Sequence, residues 1–423
     1  MTNRTRHPLL FRTVAVTAAL AAGTALAVGP AAADLASAAD GSPDNGPSDI
    51  EIHRGALLSV TSLRALSQPQ VVAELAGAGF DSTAARFGVQ LYRLVYRTVD
   101  ERGRPTTASG LVVLPSDFGR PTLTTVSYAH GTQVFRGNAP SVTDDPWETA
   151  APISYAAAGF AAVAADYLGL GLGPGHHPWM HVPSEVTASV DLLRAARTFT
   201  ARTGRTLGPD VLATGFSQGA SVTLATAHAL QDGVVPGFRP AAIAPVSGAY
   251  DFRRSEIPAL LDGKLDDRWS VAYLAYLFVS WNRLHGLYST PGEVFQKPYD
   301  RTIPNLFDGE HPGEQVGAAL PADIDHLLTD RGRALLRRPS AALADALRVA
   351  DATCRGWTPS APIRLYATRT DEQAAFANTL SCQSTLRERG VRAPIINVGD
   401  TDHADSNVRA TADIVRWFTT LQP

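Results

Sequence analysis

Apolar and polar positions alternate along this chain in two rhythms, and the switches between them set out its elements. Val89 to Val99 (VQLYRLVYRTV) and Thr106 to Pro115 (TTASGLVVLP) are rich in β-branched and aromatic residues and flank the polar turn DERGRP. They are expected to be paired strands. Leu123 to Tyr128 (LTTVSY) is a shorter strand that ends in AHGT. From there the two rhythms take turns. A helix is expected around Trp147 to Gly159, then a strand at Ala161 to Tyr167. Pro183 to Arg202 places Val186, Val190 and Leu193 on one helical face. Asp210 to Phe216 is strand-like, an alanine-rich helix follows from Gln218, and PAAIAPVSGAY from Pro240 is a buried strand. Such alternation implies an α/β fold, a mostly parallel sheet with helices on both faces.

The alternation stops between Phe252 and Trp357. That segment carries prolines, helix-like stretches and the aromatic run WSVAYLAYLFVSWNRLHGLY from Trp269, with no strand pattern. It reads as a helical cap inserted into the sheet domain. Its aromatics suit either the core of the cap or the lining of an acyl tunnel. Strands resume at Pro362 to Thr370 and Ala393 to Asp400, and an amphipathic helix from Asn407 to Leu421 closes the chain. The expected organisation is a core of residues 51–251 and 358–423 with the insertion at 252–357.

The N-terminal region reads differently. Arg4, Arg6, His7 and Arg12 precede an apolar stretch from Val14, and Ala31-Ala32-Ala33 or Ala36-Ser37-Ala38 offers a small-residue cleavage site. Residues 1–33 are expected to be an export signal and 34–50 a Gly/Pro/Ser/Asp-rich leader. The apolar stretch is short for a membrane span, and no later segment reaches the necessary length. A secreted protein is the expectation. The two cysteines, Cys354 and Cys382, would then pair with each other, two free buried thiols being the alternative. A net charge of −3 over 423 residues gives no electrostatic case for nucleic acid or anionic membranes. A small or lipid-like neutral molecule suits it better.

Candidate chemistry centres on Gly215-Phe216-Ser217-Gln218-Gly219. In a chain with 35 glycines, a Gly-x-Ser-x-Gly match arises easily by chance. Its position between a β-run and a helix gives it meaning. Small residues at Gly215 and Gly219 permit a sharp strand-to-helix turn that pushes Ser217 outward. Serine then needs an oriented base. His403, in GDTDHADSN after the last strand, lies at the carboxyl edge of the sheet, as Ser217 must. Asp371, beyond the strand that starts at Pro362, is the candidate acid, with Asp251 as rival. Oxyanion donors are expected from the N–H of Gln218 and from the His130-Gly131-Thr132 loop, by the N–H of Thr132 and its hydroxyl. His130 itself is expected to be structural.

With SYAHGT, ADYLGLG, GFSQGA, Asp371 and DHADS in place, the chain resembles the secretory-lipase family of α/β-hydrolases, which is similar to the fungal lipase A group and has bacterial members. The resemblance extends from about Val89 to the C-terminus and implies carboxylic-ester hydrolysis beneath a helical cap. The order Ser217, Asp371, His403 matches the α/β-hydrolase triad. An acyltransferase or a serine peptidase would use the same residues, and a non-catalytic binding module is the remaining class. No metal or organic cofactor is implied. GLGLGPG from Gly169 lacks the full nucleotide fingerprints and is expected to line the acyl or alcohol pocket. His176, His177 and His181 lack the carboxylates and helical spacing of a metal site, since Pro178 interrupts them.

Overall fold

The computed structural model describes residues 54–116 and 119–422; the expected export signal and leader lie outside them. Nine strands form one sheet: β1 (Leu57–Leu66), β2 (Val89–Val99), β3 (Pro105–Pro115), β4 (Thr122–Ala129), β5 (Ala161–Ala165), β6 (Thr206–Phe216), β7 (Arg239–Val246), β8 (Leu365–Ala367) and β9 (Ile395–Asn397). Their spatial order is β1-β2-β3-β5-β4-β6-β7-β8-β9. The first four in that order pair antiparallel, and β5 through β9 run parallel.

Side chains that alternate along each central strand sort the helices onto two faces. Leu111 and Val113, with Ala162, Ala164 and Leu212, meet α1 (Gln68–Gly77), α2 (Pro146–Ala157) and the last helix, α8 (His403–Thr419). Val112, Val163 and Val211 face the other way, onto α3 (Val182–Arg202) and α4 (Gln218–Gln231). Helix α7 (Phe376–Glu388) covers the same face beside β7 and β8, where Cys382 packs with Cys354, to which it is disulfide-bonded. Both faces are therefore buried, and the runs of valine and alanine reflect that burial.

Between β7 and β8 the described chain contains helices and isolated bridges but no strand; the largest helices are α5 (Asp267–His285) and α6 (Ala341–Ala350). This segment has a hydrophobic cluster of its own, built on Leu274, Phe278, Trp281, Phe295 and Leu347. Four residues from the sheet domain, Val134, Trp179, Met180 and Ala375, join that cluster. No helix among the described residues is long and apolar enough to cross a membrane.

Several boundaries differ from expectation, and β6 starts at Thr206, four residues early. Helix α8 starts at His403, four residues early, because Asp402 accepts the Asp405 N–H at 2.8 Å and caps it. Strands β8 and β9 keep only three laddered residues each at the margin of the sheet.

Candidate active site

Ser217 stands between β6 and α4 with φ 56° and ψ −119°, a conformation that costs free energy for any residue with a Cβ. The flanking glycines make room for it. A Cβ on Gly219 would lie 2.0 Å from the Ala129 carbonyl oxygen, and one on Gly215 would lie 2.6 Å from it. The β4 end, the β6 end and the first turn of α4 thus meet backbone to backbone. Gln218 is the first residue of α4, so its N–H has no partner within the helix. Gly131 brings the loop after β4 against the turn: a Cβ there would stand 3.5 Å from Ser217 Cβ. Thr132, next in the loop, shares the cavity wall with Ser217, and its Oγ1 accepts the Trp179 Nε1–H at 2.9 Å. That leaves the hydroxyl hydrogen of Thr132 free to donate elsewhere.

His403 is buried at the start of α8. Its Nδ1 lies 2.9 and 2.8 Å from the two oxygens of Asp371, while its Nε2 is buried without a hydrogen-bond partner. The ring packs 4.6 Å from that of Phe216, and His403 and Ser217 line the same cavity. Its backbone N–H donates to Glu372 at 2.9 Å, and Ser406 donates to its carbonyl at 2.6 Å. Burial is the largest single influence on the ring and opposes its charging. The charge and hydrogen bond of Asp371, with Glu372 and Glu256 adding, outweigh it and hold the pKa above 6.5. Asp371 also accepts the N–H groups of Gln373 and Ala374 at 2.9 and 2.8 Å, which fix the carboxylate. The rival Asp251 is engaged elsewhere, by Arg254, Arg355 and Ser381.

A buried polar group behind the turn has no counterpart in the sequence reading. The Gln218 amide donates to Glu185 Oε1 at 2.6 Å and to His177 Nε2 at 2.9 Å. His177 Nδ1 lies 2.9 Å from the Leu168 carbonyl, so the neutral ring donates there and accepts from Gln218. Burial pushes His177 down to about 3 and Glu185 up to about 8. Glu256, another buried carboxyl, reaches the cavity wall from the segment after β7 and is pushed up to about 7 by burial. Its Oε2 accepts from the Ala375 N–H at 3.0 Å and from Asn378 Nδ2.

The remaining histidines separate. His130 is buried against Tyr167, with rings 4.3 Å apart, and burial lowers it to about 4. His176 meets the Asp308 carbonyl at 3.3 Å, and the His181 ring lies 6.4 Å from that of His285. Among the described residues no cluster of His, Cys, Asp or Glu has the arrangement of a metal site. The glycine-rich loop does not line the Ser217 cavity, contrary to expectation. A Cβ on Gly169 would meet the His176–His177 backbone at 2.2 Å, and one on Gly171 the Asp166 carboxylate at 2.2 Å, so those glycines serve close packing.

This arrangement of sheet and helices has solved counterparts. A Legionella pneumophila protein provisionally described as a hydrolase superposes with a TM-score of 0.79 at 25% identity, over 86% of this chain and 97% of that one. The rice cell wall degrading esterase LipA of Xanthomonas oryzae gives 0.72 at 23% identity, over 87% and 97%. Candida antarctica lipase A in its closed state gives 0.61 at 15% identity, over 84% and 80%. The chain has a lipase-A-like α/β-hydrolase fold. No protein-family profile matches its sequence. No curated protein matches it either. In this hydrolase fold the carboxyl ends of the parallel strands carry Ser217, Asp371 and His403 to one edge of the sheet, where ligands of open α/β sheets bind.

Proposed function

We propose that the protein is a secreted serine ester hydrolase in which Ser217, His403 and Asp371 act as a triad. One observation carries the reading. His403, whose buried Nε2 has no partner, lines one cavity together with Ser217, while Asp371 holds its other nitrogen. A nitrogen buried without a partner costs free energy, and a catalytic role is one reason for such a cost to be kept. The esterase and lipase names of the structural neighbours point to the same substrate class.

In the proposed reaction Ser217 Oγ attacks the ester carbonyl carbon as His403 Nε2 takes its proton. Asp371 stabilises the imidazolium and fixes its tautomer. The Gln218 and Thr132 N–H groups, with the Thr132 hydroxyl, hold the oxyanion. The imidazolium then protonates the departing alcohol oxygen, the carbon–oxygen bond breaks, and an acyl-serine remains. Water attacks that acyl-serine, giving a proton to His403; the proton passes to Ser217 Oγ as the acid leaves. The helical segment 252–357 is assigned as a cap over the core of residues 51–251 and 358–423. The Cys354–Cys382 bond suits an oxidising compartment, with 1–33 as export signal and 34–50 as leader.

The test is hydrolysis of p-nitrophenyl acetate by the mature protein. Ser217→Ala is expected to abolish turnover while circular dichroism stays unchanged; persistent turnover would remove the assignment. Asp251→Asn should weaken folding, since it removes the negative charge that Arg254 and Arg355 face, yet keep kcat close to that of the parent. Supplying an acceptor alcohol in the same assay separates hydrolysis from acyl transfer by the product formed.

A further inference from the structure

The tetrahedral carbon on Ser217 has three other substituents, and each needs its own place. The oxyanion faces the Gln218 and Thr132 donors. The leaving oxygen must stay within reach of His403 Nε2, which protonates it. The cavity divides in a matching way. One compartment contains His403, with Trp147, Trp269 and Gln133; the other contains Gln218 but not His403. The leaving alcohol therefore belongs to the first and the acyl chain to the second. Resting on the ester-hydrolase reading, we propose that the second compartment admits only short acyl groups, acetyl to butyryl, and that Trp179 sets the limit.

Space is the first reason. The acyl compartment, walled by Trp179, Met180, Phe252, Leu260 and Glu256, has about 30 Å³ of water-accessible room. As the walls stand, that accommodates about two water molecules, so a chain longer than propyl needs the wall to move. A roomier cleft of about 280 Å³ lies near His176, His177 and Arg283, but Ser217 is not on its wall.

Rigidity is the second. Trp179 is stacked on Tyr276 at 4.9 Å and on Tyr273 at 5.9 Å, with interplanar angles of 10° and 8°. Phe252 meets it edge-on at 6.4 Å, and its Nε1–H is committed to Thr132. The neighbouring Met180 holds a left-handed backbone at φ 58°. Swinging the indole aside would break the stacks and release the residue that carries an oxyanion donor.

Wall chemistry is the third. Glu256 places a buried carboxyl on this compartment, and its Oε2 is already bonded to Ala375 and Asn378. An alkyl chain threaded past it would lie against a polar group to which it can offer no hydrogen bond.

The experiment is a series of p-nitrophenyl esters from acetate through butyrate and octanoate to laurate, so that the alcohol stays constant and only the acyl side varies. The parent protein should show its highest kcat/KM at acetate or butyrate and about tenfold less or lower at octanoate, the scale on which apolar pockets discriminate chain length. Trp179→Ala should raise the octanoate-to-acetate ratio by about tenfold or more. The ratio cancels any uniform loss from releasing Thr132. Leu260→Ala, from a different element, should raise the same ratio to a smaller degree and serves if Trp179→Ala does not fold. A maximum at octanoate or beyond in the parent overturns the proposal, as does an unchanged ratio in the folded variants. Ser217→Ala run alongside separates the two readings. If it retains acetate turnover, the ester-hydrolase reading fails; if it is inert while the parent favours laurate, only the chain-length limit fails.

Discussion

The two sides of the candidate site are built by different means. Ser217 follows an eleven-residue strand, β6, that is laddered to β4 and β7, and it caps the fourteen-residue helix α4. Backbone contact with Ala129 defines its place. Asp371 and His403 follow β8 and β9, three residues each. There side chains hold the loops: Thr368 donates to the Gly399 carbonyl at 2.8 Å, and Thr370 to the Thr401 carbonyl at 2.7 Å. A backbone-held group is positioned by sterics and is indifferent to pH. A group held by a polar web, with Glu372 and Glu256 nearby, has its proton affinity set by the same contacts that place it.

That contrast can be broken at several points. Gly219→Ala should have the largest effect, because its Cβ has nowhere to go: activity is lost and stability falls by about 3 kcal/mol, read by urea unfolding and acetate turnover. An active, stable Gly219→Ala protein would show that the turn is not sterically determined. Asp371→Asn should leave the circular dichroism spectrum intact while kcat drops about 10⁴-fold, since the imidazolium loses its counter-charge. Replacing both Cys354 and Cys382 by serine should cost about 3–4 kcal/mol by loop-closure entropy, with little change in kcat at low temperature. Glu372→Gln should act most gently. Removing a negative charge near His403 makes its imidazolium less favourable, so the ring stays neutral to lower pH. The acid limb of kcat/KM, lying above pH 6.5 in the parent, should move toward acid. No movement of the limb would separate positioning from proton affinity on this side.

The proposed triad residues stand out in the sequence by short, local marks: two glycines around Ser217, and late-chain Asp371 and His403 after apolar runs. The central strands were legible because burial on both faces leaves almost no charge in them. Strand β1 was not. Its LLSVTSLRAL is exposed along nearly its whole length at the sheet edge, so no burial rhythm marks it. Helix α1 buries only Val71 and Leu75, too little to print a face. The early start of α8 was written in Asp402 as a cap, a signal the apolar periodicity from Asn407 overshadows. The Glu185–Gln218–His177 group left no local mark at all. Its members lie 33 and 41 residues apart in sequence, and each alone resembles a surface polar residue.

The wall of the acyl compartment has mixed parentage. Trp179 and Met180 precede α3 in the sheet domain, whereas Phe252, Leu260 and Tyr273 come from the segment between β7 and β8. A graft that exchanged only that segment with a relative would carry over half a wall and set it against a foreign indole. The proposed limit on acyl length is therefore not a detachable module. Recombination that aims to change it has to move both sequences together, or begin with the single tryptophan that the graft would leave behind.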